Sequence, residues 1–376
     1  MKKALLAAAL MSAGVIAHAQ SSVTLYGRLD AGIEYMSGIP NSSGTGSNSR
    51  WRAESGDWGT SLWGLKGAED LGGGTKAVFQ LEGAFNTMNG NLGSAGSIWN
   101  RWATVGFSNP QYGTFLLGRE LFISNGVWDF DPFGQSNWSS ASLVRGRNWP
   151  QSSNNISYQS PKWNGFDLYG QYALSNATSW NGNNTTTQGR EAGLQLTYTN
   201  PLFQVRALYD EIRNPVNGLL NGQAVTGATG ANPIPSGAYQ YSREYVAGVN
   251  VFLGPFKIQG VYDAIRTSGA NGVAFGLPTS LDHEWGGVTW NITPAAAAIA
   301  AVYHVNGNNG AGNATIYTVG GTYNLSKRTL LDLQIATVRN SKNANFSLEA
   351  NGPVNADNPL PGHSQSGAYV GIQHVF

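Results

Sequence analysis

The 376-residue chain contains no cysteine, which excludes disulfide scaffolds, thiolate zinc sites and cysteine nucleophiles together. Charge is scarce as well. Asp, Glu, Lys and Arg make up 11% of the residues, under half the roughly 25% of ordinary soluble domains. Basic and acidic side chains nearly balance at 22 against 21, which removes the basic footprint of a nucleic-acid binder. With 41% apolar residues, a charge-expanded disordered chain is excluded too. Long apolar runs are also missing. Beyond the first 19 residues the best is Ala295 to Tyr303, far short of the ~18 that a transmembrane helix needs. What is present in excess is glycine, 50 residues without a collagen period, together with 14 Phe, 12 Trp and 16 Tyr.

Residues 1–19 read as a secretory signal. Lys2 and Lys3 form its positive end, Ala4 to Ala17 a small apolar stretch, and Ala17-His18-Ala19 an A-x-A cleavage site. Residues 20–376 then form a single unit with 20 basic against 21 acidic side chains. An exported chain without an apolar helix can enter a membrane only as a closed barrel.

That unit alternates with period two. In residues 22–35, Val23, Leu25, Leu29, Ala31 and Ile33 share one face, and Thr24, Arg28, Asp30 and Glu34 the other. The same pattern recurs near 202–210, where Phe203, Val205 and Ala207 alternate with Gln204 and Arg206. It returns near 256–263, where Phe256 and Ile258 alternate with Lys257, Gln259 and Asp263, and again at the C-terminus. Connections alternate in length. Short turns rich in Pro, Gly and Asn fall at 70–74, 109–113, 160–165, 200–202, 253–255, 292–294 and 325–328. Long loops are expected at 37–59, 86–97, 122–152, 175–188, 212–241, 267–281, 306–313 and 339–365. This implies an all-β, sixteen-stranded antiparallel transmembrane barrel, with roughly 10.5 residues per strand against the ~9–11 that a tilted spanning strand needs. A soluble sandwich would need a charged outer face, whereas here the charges share the face of Asn, Gln and Thr. Tyr35, Trp63, Trp99, Tyr158, Tyr172, Tyr198, Trp290 and Tyr323 fall near strand ends, as interfacial girdles do.

Catalytic signatures are absent. His283, His304, His363 and His374 have no partner at metal-ligand spacing, and no G-x-S-x-G elbow, P-loop or helix-opening G-x-G-x-x-G occurs. No cofactor is expected. Sixteen strands leave a water-filled bore, so passage rather than catalysis is the function on offer. The loop 122–152 is long, has no strand alternation, and carries Asp129 and Asp131 among Trp128, Phe130 and Phe133. Loops of that length are usually functional or disordered, and this aromatic content argues for packing inside the bore. Basic residues supply the opposite wall. Arg28 and Lys66 share polar parity, Arg119 precedes the loop with ambiguous facing, and Arg145 and Arg147 follow the acidic stretch. Arg101 shares parity with Ala103, Val105 and Phe107, against a lumen role. Opposed charges across such an aperture would focus a transverse field.

Several blocks carry a resemblance: V-T-L-Y-G-R-L-D-A-G (23–32), L-W-G-L-K-G-A-E-D-L-G-G-G (62–74), W-A-T-V-G-F-S-N-P-Q-Y-G-T-F-L-L-G-R (102–119), D-P-F-G (131–134) and the terminal Phe376. The chain resembles the trimeric sixteen-stranded general porins of Gram-negative outer membranes, in particular the β-proteobacterial type. The resemblance implies that loop three folds into the lumen with acidic Asp129 and Asp131 facing a basic cluster of Arg28, Lys66, Arg119 and Arg147. This chain reads D-P-F-G-Q where the family more often has P-E-F-G-G. A homotrimer is implied, with loop 86–97 reaching a neighbour, as are contacts with outer-membrane lipid and lipopolysaccharide. The family's terminal Phe is a signal to the barrel-assembly machinery, and His374 stands where an apolar or aromatic residue is more usual. The expected function is passive diffusion of small hydrophilic solutes and ions with mild anion preference. A channel selective for sugars or organic acids, and an outer-membrane enzyme or adhesin, remain the alternatives.

Overall fold

The computed structural model describes residues 22–143, 151–174, 190–213, 238–270, 276–349 and 357–376. The strands are β1 (Ser22–Pro40), β2 (Ser47–Ser55), β3 (Leu62–Gly72), β4 (Thr75–Ala84), β5 (Trp102–Asn109), β6 (Gly113–Leu121), β7 (Gln151–Gln159) and β8 (Phe166–Ala173). They continue as β9 (Glu191–Thr199), β10 (Phe203–Arg213), β11 (Tyr241–Leu253), β12 (Phe256–Ser268) and β13 (Ser280–Asn291). The last are β14 (Ala296–Gly307), β15 (Gly312–Asn324), β16 (Thr329–Asn340) and β17 (Gln365–Val375). Apart from β2 and β3, each strand pairs antiparallel with its sequence neighbour, and β1 pairs with β17 from Arg28↔Val375 to Met36↔Gly367, which closes the ring.

Seventeen strands occupy sixteen places. One edge of β1 is long enough to hold β3 along Ser22–Arg28 and β2 along Ala31–Pro40, so β2 and β3 lie end to end. The sequence expectation of an open loop over 37–59 is therefore corrected. Its centre alternates Arg50, Arg52 and Glu54 with Trp51 and Ala53, and this unrecognised period two extends the first hairpin. The 306–313 connection is likewise a tight turn between Gly307 and Gly312, not a long loop.

The faces are inverted relative to a soluble protein. Leu25, Ile33, Val105, Phe107, Val319 and Val370 stand exposed on the outside, while Asp30, Glu34, Glu120, Thr197, Gln334 and Gln373 are buried inside. Aromatic rings cluster at both strand ends. Phe256 stacks on Trp290 at 5.9 Å at the short-turn end, and Tyr209 meets Tyr245 at 5.2 Å near the other. Such belts mark the two membrane interfaces. The hydrophobic core lies within the ring. Phe122, Val127, Phe130, Trp138 and Leu143 of the β6–β7 connection pack with wall residues such as Trp285, Tyr303, Ile316 and Val338, and with Phe346 and Leu348.

Candidate functional site

The β6–β7 connection begins with a 3₁₀ segment, Ile123–Phe130, and continues to a helical turn, Ser140–Leu143. Its hydrogen bonds reach across the ring. Gln171 on β8 accepts from Ile123 N at 2.9 Å. Trp285 Nε1 on β13 donates to the Phe130 carbonyl at 3.1 Å, and Tyr303 on β14 donates to Asp131 Oδ1 at 2.6 Å. Thr318 on β15 donates to the Trp138 carbonyl at 2.7 Å, and Gln334 on β16 to that of Asn137 at 2.8 Å. Asn137 Nδ2 donates to Asp57 at 2.6 Å, and Trp138 N to the Leu348 carbonyl at 3.2 Å. A buried backbone needs every such partner.

The wall makes room with glycines. A Cβ on Gly248 would meet the Phe130 ring at 2.9 Å, one on Gly287 would meet Pro132 at 2.7 Å, and one on Gly367 would meet Trp138 at 2.9 Å. Each lies on the inward parity of its strand, so the missing side chain is filled by one from the loop.

Asp129 is held through both its carboxylate and its backbone carbonyl. Its carboxylate is 2.7 Å from Arg206 on β10, whose guanidinium also lies over Phe130 at 4.8 Å. Its carbonyl oxygen accepts from Asn250, Lys257 and Gln259 at 3.2, 2.9 and 3.1 Å. Burial lifts the Asp129 carboxyl above the usual carboxylate range, against the opposing pull of Arg206 and Lys257.

With the loop gathered towards β10–β16, a chamber of about 670 Å³ remains on the other side. Arg28, Arg101 and Arg206, with Glu82, Glu120 and Asp129, supply its charged lining. The carboxylates are occupied. Glu82 pairs with Arg101 at 2.7 Å and accepts from Tyr26 at 2.9 Å. Glu120 is buried and accepts from Ser157 and Tyr169, both at 2.7 Å. Arg28 donates to the Thr60 carbonyl at 2.9 Å, and among the described residues it has no carboxylate at ion-pair distance.

Several sequence expectations change here. Arg28 lines the chamber. Lys66 is inward and exposed, 5.2 Å over Tyr26, but lies towards the short-turn end rather than among the lining residues. Asp131 does not face the passage. It is buried, and it accepts from Tyr303, Phe133 N and Ser140 N, so it holds the loop's own bend. Arg119 is not brought to Asp129. It pairs opposite Ala103, on the parity of Val105 and Phe107, and donates to the Asn100 carbonyl and Ser153. Its register breaks between Gly118 and Glu120, where Gly118 has φ of 129°. Arg101, argued away from the lumen on parity, lines the chamber because it precedes β5 and so escapes the strand's alternation. Arg145 and Arg147 lie outside the described residues, as does the expected signal, 1–19. Arg206 and Lys257 were missed as site residues, although their alternation with apolar neighbours already placed them on the polar face. Phe376 lies at the closing seam, where its N–H and carbonyl exchange 3.1 Å bonds with Gly27 and its ring occupies the space a Gly27 Cβ would need.

A closed antiparallel barrel with an oil-facing exterior, a polar bore and a loop pinned within it defines a transmembrane channel. The family profile described as Gram-negative porin matches residues 4–343, and the chain belongs to that family. It is similar to an outer membrane porin protein of Bordetella pertussis, at 32% identity over 88% of this chain and 92% of that one. It is also similar to outer membrane porin protein 32 of Delftia acidovorans, at 31% identity over the full length of both. Among solved structures it resembles the anion-selective porin from Comamonas acidovorans, with a TM-score of 0.76, 24% identity, and coverage of 95% and 100% of the two chains. The protein is thus a bacterial outer-membrane porin, a passage for diffusion of small hydrophilic solutes.

Proposed function

We propose that the passage is a general diffusion channel with mild anion preference, narrowed by the 122–143 connection. The observation that carries this reading is the asymmetry of pairing around the bore. The chamber's carboxylates are each tied to an arginine or to several donors, whereas Arg28 faces it with no carboxylate at ion-pair distance among the described residues. Lys66 adds a second inward cation without an ion pair among the described residues. An anion entering the chamber meets Arg28, and a cation meets Glu82 and Asp129 already ion-paired and Glu120 held by Ser157, Tyr169 and Gln171. Arg145 and Arg147 are assigned to the same rim on sequence grounds alone. Reversal potential in a salt gradient across a planar bilayer tests the preference, and a cation-selective sign overturns it.

The working unit is a homotrimer, supported by the exposed apolar Met88, Leu92 and Ile98 of the β4–β5 connection. Residues 1–19 direct export and are removed, and Phe376 is read by the barrel-assembly machinery. A reading as a channel selective for particular organic acids has one observation in its favour. Trp128 projects from the loop into the chamber with 60% of its surface exposed, near Trp58 and Trp102. Current blockade by low concentrations of an aromatic carboxylate, but not of an aliphatic one, would favour it.

A further inference from the structure

Strand β16 reads T-L-L-D-L-Q-I-A from Thr329. Leu331, Leu333 and Ile335 stand exposed on the outside, so Asp332 and Gln334 turn into the bore, two residues apart on one face. Neither is open to the water there. Asp332 is 3% exposed and Gln334 not at all. The far half of the β6–β7 connection lies against this face, where Gln334 Nε2 donates to Ser136 Oγ at 3.2 Å and to the Asn137 carbonyl at 2.8 Å.

The ladder around Asp332 offers its carboxylate nothing. Its neighbours in register are Thr322 on β15 and Gly371 on β17. The Tyr369 hydroxyl lies over Gly371, 2.6 Å from where a Cβ would stand, but it donates to Asp30 Oδ1 at 3.2 Å. Asp30, buried and held also by Gln373 at 3.0 Å, adds like charge. Both Asp332 carboxylate oxygens and Gln334 Oε1 are without a hydrogen-bond partner, and among the described residues no basic side chain pairs with Asp332. Buried carboxylates are tolerated when paired or fully hydrogen-bonded, and this one is neither. The unmet atoms are all oxygens. A proton on Asp332 would leave Gln334 Oε1 unmet, and a water would bring no charge to set against Asp30 and Asp332. A small hard cation answers both needs. One positive charge suffices, because Asp30 already accepts two hydrogen bonds and feels Arg28. No three acidic or histidine side chains among the described residues converge closely enough to hold a metal ion, which argues against a divalent ion and its demand for several carboxylates.

We infer that an alkali cation, sodium or potassium from the surrounding salt, is held by the Asp332 carboxylate and the Gln334 amide oxygen behind Ser136 and Asn137. The salt that the channel conducts is then also a ligand of the connection packed in its bore. Gln334 takes the ion through one end of its amide and the connection through the other, so the ion stiffens the connection's seat on β16. Asp332 and Gln334 are not among the residues lining the chamber, and the site does not rest on the ion preference proposed above.

The test melts full-length protein in nonionic detergent, in sodium, potassium or N-methylglucamine chloride at equal ionic strength and pH. The organic cation is too bulky for a buried seat between wall and connection. With alkali cation at about ten times its dissociation constant, the folded state should gain about tenfold, a midpoint rise of ~2–4 °C over N-methylglucamine. Asp332→Asn should abolish that rise, and Asp70→Asn, at an exposed short turn, should keep it. Salt conductance of each variant checks that its barrel is closed. Should Asp332→Asn fail to assemble, sodium NMR line broadening on the parent protein decides, with potassium expected to displace the bound sodium and N-methylglucamine not. Equal midpoints in the three salts, or a rise that survives in Asp332→Asn, would overturn the site. So would sodium broadening that N-methylglucamine reverses as well as potassium does. A midpoint that follows pH but not the alkali cation would overturn it in favour of a protonated carboxyl.

Discussion

Replacing Arg28 by Gln should shift ion preference towards cations by a calculable amount. The guanidinium is held by the Thr60 carbonyl at 2.9 Å, and its charge is not cancelled by a carboxylate at ion-pair distance among the described residues. An ion passing about 5 Å away in water feels about 0.8 kcal/mol from a unit charge, and screening at 0.1 M salt leaves about 0.5. Removing the charge raises the anion and lowers the cation by that amount. The difference is about 1 kcal/mol, roughly fivefold in the anion-to-cation permeability ratio. Arg28→Lys keeps the charge and should shift the ratio less than twofold. The charge-conserving Arg206→Gln/Asp129→Asn should also leave the ratio nearly unchanged, because it removes a matched pair. Reversal potentials in a tenfold KCl gradient measure all three. If Arg28→Gln conducts but leaves the ratio unmoved, or if the charge-conserving double variant shifts it more, the reasoning fails.

Other consequences follow from the loop's attachments. Tyr303→Phe deletes the 2.6 Å bond to Asp131 and should cost about 1.5–3 kcal/mol of loop attachment, seen as a lower melting temperature in detergent and greater open-channel noise. Gly248→Leu places a side chain where the Phe130 ring lies. It should displace the loop's 3₁₀ segment, with a conductance change of tens of per cent and loss of fine selectivity as the readout. Because burial raises the Asp129 carboxyl, it takes up a proton at higher pH than an exposed carboxylate. The folded state gains stability from that proton at low pH and loses it as pH rises through the raised value. Acidification below neutral should therefore add positive charge to the bore and strengthen anion preference, and Asp129→Asn should remove Asp129's share of that pH dependence. Phe376→Ala removes the ring over Gly27 at the seam and should lower the yield of assembled barrels, measured as heat-modifiable protein on gels.

Much of the architecture could be read from local pattern. Alternation in 22–35, 202–210 and 256–263 and the seven short turns predict the barrel, because the two-residue period is a property of neighbouring residues and the two solvents they face. The same parity places Arg28, Lys66, Arg206 and Lys257 on the water side. Facing is lost wherever the chain leaves the ladder. Arg119 follows the Gly118 irregularity, and Arg101 stands before its strand begins, so alternation assigned neither correctly. The role of Asp131 depends on Tyr303, 172 positions away, and the seat of Phe130 on a glycine over a hundred residues downstream. Sequence alone therefore determined which residues meet oil and which meet water. Only the tertiary structure decided which charges in the bore are already paired, because pairing depends on contacts between distant segments that no local period records.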